Sequence, residues 1–298
     1  MFDISIGTLI PYNAASEMIP LLNPKGFECY ELDFNGSVPE NVDFSAYGEE
    51  ILPRLEGRKI SAIGFYRNPI LNESDRHGLE VLIRNAKTLG CDVIGAFAGA
   101  NPEKTIPETI ADFKRVWEPL AALAEENGVR IGFEGCGGGW YGGSWNIGYC
   151  PEAWELMFDA VNSPALGLEW EPTHAIEGLA DPIAQLRRWA KKVVHVHGKD
   201  GTVAWDVIRE SGINGPRPYV WNRTPGFGDT NWADIFTILL QSGVEGACDI
   251  EGYHDPVHYD DMEWSAQVAS LEYLKNCRGG KVFFDAPGLY HGYQGKRK

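Results

Sequence analysis

Residues 165–175, ALGLEWEPTHA, contain the pattern that decides the fold. The apolar run ALGL predicts a buried strand, and it passes directly into the polar cluster EWEPTH, which carries Glu169, Glu171 and His174. In a parallel barrel, polar side chains of this kind gather at the C-terminal ends of the strands. The stretch therefore predicts one strand of such a barrel, with functional residues at its end.

Three other β-rich runs end on a side chain that could bind a cation. IGF precedes Glu134, VVHV precedes His197 and DI precedes Glu251. With Glu171, these residues would bring three carboxylates and one imidazole to the mouths of four strands. Such an oxygen-rich set suits a hard to borderline divalent metal ion, and without a cation the burial of these carboxylates would cost several kcal/mol.

Eight β-rich runs alternate with helical stretches along the chain. The predicted strands are 2–10, 28–34, 60–66, 92–98, 129–134, 165–171, 193–197 and 246–251. The predicted helices are 14–22, 44–55, 73–88, 106–126, 151–160, 182–191, 232–241 and 261–276. Strand–helix alternation favours parallel pairing with right-handed crossovers, and eight repeats favour an α/β fold of the (β/α)8 TIM barrel type.

The length fits one such barrel. A chain of 298 residues exceeds the roughly 250 residues that this fold typically needs. We predict a single barrel over residues 1–278, followed by a C-terminal tail over 279–298 that docks on the barrel or on a partner subunit.

Composition narrows the function classes. The formal net charge of −16 argues against nucleic acid and anionic membranes as partners. The sequence contains no apolar run long enough to span a membrane, and its N-terminus lacks a basic signal-peptide region, so we expect a cytoplasmic protein. The six cysteines have no CxxC spacing, and Cys29, Cys91 and Cys248 fall in or beside predicted strands, which favours buried thiols over disulfides.

Two long connections on the catalytic face carry aromatic residues. Residues 135–150, GCGGGWYGGSWNIGYC, follow the fifth strand, and the loop after the seventh strand is also long. We expect Trp140, Trp145 and Trp221 to stack on a substrate and exclude water. We expect Arg223 to clamp an anion or a hydroxyl group.

Two further polar residues are predicted to lie outside the site. Glu169, two residues before Glu171, and His195, two before His197, are assigned to the outward face of their strands, towards the helices. The ends of the third and fourth strands offer neither histidine nor carboxylate. This absence favours a single metal ion over a multinuclear zinc site.

At these motifs the chain resembles the xylose isomerase-like TIM barrels, the sugar phosphate isomerases and epimerases. Members carry a Glu after strand five, like Glu134 in IGFEGC, and an acidic-x-x-His after strand six, like EPTH, where Glu171 replaces the usual Asp. They carry His-x-Lys-Asp after strand seven, like HGKD with His197 and Lys199, and Glu-x-x-x-Asp after strand eight, like EGYHD with Glu251. The resemblance is strongest over residues 90–275 and rests on topology alone before them.

The resemblance implies a set of site residues. Four residues would bind one divalent ion, for which Mn²⁺, Mg²⁺ or Co²⁺ is expected from the oxygen-rich ligands: Glu134, Glu171, His197 and Glu251. Glu134 and Glu251 would also transfer protons. The resemblance also implies that His174 helps to hold the substrate. With the loop residues Trp140, Trp145 and Arg223, and with Lys199 and His254, His174 completes the predicted substrate-binding set.

The function that the resemblance implies is a metal-dependent sugar isomerase or epimerase, which abstracts a proton beside a carbonyl and stabilises the resulting enediolate. One alternative is a lyase that carries out β-elimination on a 3-oxo sugar or glycoside, as inosose dehydratase and the α-subunits of C-glycoside-cleaving lyases do. Another is a non-catalytic sugar-binding barrel, which would be expected to lack one of the two bases. The expected partner is a small sugar or glycoside, with a homo-oligomer or a small partner subunit left open.

Overall fold

The computed structural model describes residues 4–34, 36, 38 and 42–279, and it forms a closed barrel of eight parallel strands. The barrel strands are β1 (Ile4–Pro11), β2 (Cys29–Asp33), β3 (Lys59–Phe65), β4 (Val93–Ala96), β5 (Arg130–Glu134), β6 (Leu166–Trp170), β7 (Val193–Gly198) and β10 (Gly246–Ile250). Two further strands, β8 (Asp200–Val203) and β9 (Val220–Arg223), form an antiparallel hairpin. The order around the barrel is β1-β10-β7-β6-β5-β4-β3-β2.

Helices connect the strands and surround the barrel. They are α1 (Ala15–Leu22), α2 (Phe44–Ile51), α3 (Glu73–Asn85), α4 (Ile106–Asn127), α5 (Pro151–Ala160), α6 (Pro172–Glu177), α7 (Pro182–Trp189), α8 (Trp205–Ser211), α9 (Trp232–Gln241) and α10 (Asp261–Arg278). The predicted TIM barrel is confirmed, with eight strands and eight helices near their predicted positions. The sequence also predicted a short helix at 203–209, in the loop after the seventh strand, which corresponds to α8. The sequence did not predict α6 or the hairpin β8–β9.

Helix boundaries follow local chemistry. Thr105 begins α4 with a capping box, in which its hydroxyl accepts from the backbone N–H of Glu108 while the Glu108 carboxylate accepts from the N–H of Thr105. Gly128 ends the same helix at φ +61°, a left-handed conformation that glycine adopts without steric cost. Residues of α4 then pack on the barrel: the Trp117 ring meets Phe133 of β5 edge to face at 4.7 Å.

A row of glycines crosses four adjacent strands of the barrel. Gly64 of β3 pairs with Gly95 of β4, Gly95 pairs with Gly132 of β5, and Gly132 pairs with Gly167 of β6. Bulky branched side chains usually fill the layers of a TIM barrel interior. At Gly64 and Gly95, the missing side chains leave room that the polar side chains of Glu31, Tyr66 and Glu169 occupy.

Other expectations concern the cysteines, the membrane and the tail. Cys29, Cys91 and Cys248 are buried as predicted, and none of the six cysteines forms a disulfide in the part of the chain that the structure describes. Among the same residues, no helix is both long and apolar enough to cross a lipid bilayer. The predicted docking of the C-terminal tail concerns residues 280–298, which lie outside the described ranges.

Candidate metal centre

Four strand ends bring together the predicted ligands, which we call the upper cluster: Glu134, Glu171, His197 and Glu251. Glu134 is the last residue of β5, Glu171 follows β6, His197 lies in β7 and Glu251 follows β10. One ligand atom from each residue lies within 4.8 Å of the corresponding atoms of the others. The four residues that the sequence motifs predicted therefore converge on one point at the mouth of the barrel.

The His197 imidazole is central to the upper cluster. Its Nδ1 lies 3.2 Å from Oε2 of Glu251, 3.5 Å from Oε1 of Glu134 and 3.8 Å from Oε2 of Glu171. These distances place one nitrogen and three carboxylate oxygens around a common centre. The donor set is mostly oxygen, as hard and borderline divalent ions prefer.

Several atoms of the upper cluster are buried with unsatisfied bonding capacity. Both carboxylate oxygens of Glu171, Oε2 of Glu251 and Nδ1 of His197 lack a hydrogen-bond partner among the described residues. Buried polar groups are almost always paired, because leaving them unpaired costs free energy. A divalent cation at their common centre would satisfy all of these atoms, so the residues fit the metal ion that the sequence suggested.

The protonation states of the carboxylates differ within the cluster. Burial raises the pKa of Glu171 to about 8, despite the opposing charges of His174 and Lys199. Burial also acts on Glu251, but the charges of Lys199 and His197 outweigh it and hold the Glu251 pKa well below its ordinary value. The Lys199 ammonium donates to Oε1 of Glu251 at 2.6 Å. Glu251 is therefore ionised near neutral pH.

His174 joins two of the carboxylates. Its Nε2 lies 3.1 Å from Glu171 and 3.4 Å from Glu134, while its Nδ1 lies 3.0 Å from Glu177. Burial disfavours the imidazolium, but Glu171 and Glu134 outweigh that effect and raise the His174 pKa to about 10. The protonated His174 lies in the short helix α6, which has Pro172 in its first turn.

The last residue of the HGKD motif anchors the following loop. The buried Asp200 carboxylate accepts hydrogen bonds from the backbone N–H groups of Gly201, Gly226 and Thr230 and from Nε1 of Trp232. These contacts tie the hairpin β8–β9 and the start of α9 to the end of β7. Asp200 thus fixes the conformation of the segment between β7 and α9, next to Lys199 at the mouth of the barrel.

A residue that the sequence did not identify supports His197 from below. Oε2 of Glu31, in β2, lies 3.0 Å from Nε2 of His197, and the Tyr66 hydroxyl donates to Oε1 of Glu31 at 2.6 Å. A carboxylate behind a metal-binding histidine fixes the ring and its tautomer. The available signal was a charged residue in the middle of the strand CYELD, where Glu31 lies between the buried Tyr30 and Leu32.

The predicted outward orientation of Glu169 and His195 is wrong. Both residues are about 1% exposed, and both face the barrel interior, where Nε2 of His195 lies 3.1 Å from Glu31 and Oε1 of Glu169 lies 3.4 Å from Nε2 of His197. Side chains two residues apart on a strand share a face. Glu169 therefore follows Glu171 inward, and His195 follows His197.

The predicted aromatic residues differ in their surroundings. Trp145 is 44% exposed and meets the Phe97 ring at 4.6 Å, and Phe97 lies 5.2 Å from the Tyr66 ring beside His197. The rings of Trp145, Phe97 and Tyr66 thus form a row that extends from solvent to His197 of the upper cluster. Trp140 is half-buried against the hydrophobic core, and Trp221 is exposed on β9.

Two predicted substrate-binding residues lie elsewhere. Arg223 pairs with Asp255 at 3.4 Å, so its guanidinium already has a carboxylate partner. His254 is exposed at φ +69°, in the loop after β10, and is not among the residues that converge on the upper cluster. Lys199 and His174, by contrast, directly contact the cluster.

Curated relatives match about half of the chain in sequence. The chain is 29% identical over 145 residues to the uncharacterized protein YfiH of Bacillus subtilis, covering 45% of this chain and 44% of that protein. It is 24% identical over 162 residues to an inosose dehydratase of Clostridium perfringens, covering 52% and 50%. The chain spans about half the length of the curated relatives it matches.

Solved structures share the fold over nearly the whole chain. A xylose isomerase domain protein from Planctomyces limnophilus superposes with a TM-score of 0.69 at 19% identity, covering 92% of this chain and 96% of that one. The 3-keto-D-glucoside 4-epimerase YcjR of E. coli gives a TM-score of 0.69 at 14% identity, covering 92% and 100%. The sequence model of the xylose isomerase-like TIM barrels matches residues 22–277. The chain therefore belongs to the xylose isomerase-like TIM barrel family.

Proposed function

We propose that this protein is a metal-dependent sugar isomerase or epimerase, which moves a proton on a carbon beside a carbonyl group. The observation that carries the proposal is the convergence of unsatisfied ligand atoms from Glu171, His197 and Glu251, together with Glu134, at the mouth of the barrel. A divalent cation held there would polarise the substrate carbonyl and offset the negative charge of the enediolate. The upper cluster fits that ion by the number and type of its donor atoms.

Two carboxylates are placed for proton transfer. Glu134 ends β5 and Glu251 follows β10, and these strands are three positions apart around the barrel. A substrate bound between them would meet one carboxylate on each side. Removal of a proton by one residue and return by the other on the opposite face would invert the carbon, which is an epimerisation.

The protonation states suggest which carboxylate acts first. The Lys199 ammonium, 2.6 Å away, keeps Glu251 ionised, as a general base requires. Glu134 lies within 3.4 Å of protonated His174, through which it could be resupplied with a proton. We assign Glu251 as the base that removes the proton. Glu134, resupplied by His174, is assigned as the residue that returns a proton.

The second candidate is a lyase. The match to the Clostridium perfringens inosose dehydratase favours it, because an elimination begins with the same abstraction of a proton beside a carbonyl. The two reactions differ only in what leaves after the proton. The exposed aromatic residues of the catalytic face, including Trp145 and Trp221, would suit a glycoside or ring larger than a free hexose.

Product analysis separates the candidates. The protein, supplied with Mn²⁺, is incubated in D₂O with candidate ketoses and 3-oxo-glycosides, and the products are followed by NMR. An isomerised or epimerised sugar with deuterium at the reacting carbon supports the proposal. A released aglycone or a new double bond supports the lyase instead. Unchanged substrates, recovered without deuterium across both classes, would count for a binding barrel and against both reactions.

A further inference from the structure

A second group of ligand atoms lies deeper in the barrel, and we call it the deep cluster: Glu31, Glu169, His195 and His197. One ligand atom of each lies within 4.8 Å of those of the others. Glu169 is two residues before Glu171 on β6, which places it about 7 Å further from the barrel mouth. His197 belongs to both clusters, because Nδ1 faces the upper one and Nε2 faces the deep one.

The imidazoles and carboxylates of the deep cluster are close together. Oε2 of Glu31 lies 3.1 Å from Nε2 of His195 and 3.0 Å from Nε2 of His197. Oε1 of Glu169 lies 3.4 Å from Nε2 of His197 and 3.8 Å from Nε2 of His195. A further carboxylate, that of Asp249, lies 3.2 Å from Nε2 of His195. Two nitrogens and at least two oxygens thus face one small volume.

The Glu169 side chain points to a ligand independently of the cluster's composition. Its carboxylate is fully buried, and within the described ranges neither of its oxygens has a hydrogen-bond partner. An ionised carboxylate with this surrounding is costly unless a cation binds it. The imidazoles of His197 and His195 lie 3.4 and 3.8 Å from Oε1 of Glu169 without forming a hydrogen bond to it, and the Tyr66 hydroxyl donates to Glu31 instead.

The barrel wall is shaped around these carboxylates. A Cβ atom at Gly95 would collide with both oxygens of Glu169, and one at Gly64 would come within 2.6 Å of Oε1 of Glu31. Both glycines belong to the row that crosses β3–β6. The room that these two glycines leave is therefore taken up by the carboxylates of the deep cluster.

We propose that the deep cluster is a second divalent-cation site, in which Glu31, Glu169 and His195 are the ligands and His197 is shared with the upper cluster. Its two imidazoles make it richer in nitrogen than the upper cluster, so Co²⁺ or Zn²⁺ fits it better than Mg²⁺. For both sites to fill, Nε2 of His197 would have to release its proton to solvent, since each ring nitrogen would then bind one cation. The inference goes beyond the proposed function and does not require the upper cluster to be catalytic.

Cation counting in matched variants tests the proposal. The metal-stripped protein is titrated with Co²⁺, and bound cobalt is counted by elemental analysis after desalting and followed by its visible absorption. We expect two ions per chain in the parent protein, one in Glu169→Gln, one in Glu251→Gln and none in the double variant. Glu126→Gln, at an exposed position of α4, is the matched control and keeps two.

A second variant keeps every proposed ligand residue but places a methyl group where the Glu169 carboxylate lies. Gly95→Ala should lose the deep cation and keep the upper one, because its methyl group occupies the position of the Glu169 carboxylate. Far-UV circular dichroism of the metal-free variants checks that the barrel has folded. His195→Gln replaces Glu169→Gln if the latter does not fold.

The outcomes separate this inference from the proposed function. One ion per chain that is lost in Glu251→Gln but retained in Glu169→Gln and Gly95→Ala would overturn the deep site and leave the proposed function intact. One ion that is lost in Glu169→Gln but retained in Glu251→Gln would support the deep site and contradict the metal centre of the proposed function. No bound cobalt in the folded parent protein would overturn both.

Discussion

Nε2 of His197 lies 3.0 Å from Oε2 of Glu31, while Nδ1 of the same ring faces the three carboxylates of the upper cluster. With Nε2 protonated and donating to Glu31, the lone pair of Nδ1 is directed at the position that a cation in the upper cluster would take. Glu31 is thereby a positioning residue for the upper cluster. The two clusters are coupled through one imidazole.

Glu31→Gln should weaken cation binding at the upper cluster by about 10–100-fold, because the amide no longer holds the ring in this tautomer. Calorimetric titration with Mn²⁺, which prefers the oxygen-rich upper cluster, measures the effect. A purely structural role would lower the thermal midpoint of the metal-free protein and leave the Mn²⁺ affinity unchanged. That result would contradict the assignment.

Glu251→Gln should lower turnover by more than the roughly 10²–10⁴-fold expected for removal of a general base, since one residue would supply both the base and a cation ligand. Glutamine keeps the side-chain volume, so circular dichroism should show an intact barrel. Steady-state assays at saturating Mn²⁺ measure the loss, with Glu126→Gln as the control. Turnover within a few-fold of the parent would exclude Glu251 as the base.

Trp145→Ala should raise KM about tenfold with little change in kcat, because an exposed aromatic residue at the entrance contributes to binding more than to the transition state. Trp145 meets Phe97, which continues to Tyr66 beside His197. Tyr141→Ala is the matched control, since that side chain is 89% exposed on the same loop. Equal effects of the two substitutions on KM would mean that Trp145 has no specific contact with the substrate.

Asp255 should make the stability depend on pH in the acid range. Burial opposes ionisation, but hydrogen bonds from the backbone N–H groups of Thr224, His258 and Val257 outweigh it and hold the Asp255 pKa below its ordinary value. Since the folded-state pKa is depressed, this stabilisation is complete above the unfolded pKa of about 3.9 and is lost as the pH falls through the lower folded value.

Urea unfolding of the parent protein and Asp255→Asn measures this contribution. We expect the difference in unfolding free energy between them to be constant at neutral pH and to shrink below about pH 4. A difference that grows on acidification would reverse the assigned direction of the pKa shift.

The sequence was sufficient for the barrel and the upper cluster because the relevant signals are local. Each of Glu134, Glu171, His197 and Glu251 follows a recognisable strand, and the parallel barrel brings strand ends together. Glu31 was missed because β2 precedes the region of strong resemblance, and its contact with His197 spans 166 positions of sequence separation.

Glu169 and His195 were placed on the wrong face because they were assigned the opposite strand parity to Glu171 and His197, whereas residues two apart on a strand share a face. Features of other strands make their burial possible. Gly64 and Gly95 leave the space, and charged groups from different strands lie nearby. The hairpin β8–β9 was missed for the same reason, since Asp200 holds it through backbone donors up to 30 residues away.

Solvent proton exchange tests the central claim most directly. The metal-stripped protein, the protein reconstituted with Mn²⁺, and the reconstituted protein treated with a chelator are each incubated in D₂O with a substrate identified by product analysis. We predict that deuterium uptake beside the carbonyl requires bound Mn²⁺ and is absent in Glu251→Gln carrying the same cation. Glu134→Gln, which keeps the assigned base, should take up deuterium without inverting the carbon. Equal uptake by the metal-stripped and Mn²⁺-loaded parent proteins would contradict metal-dependent proton abstraction at the upper cluster.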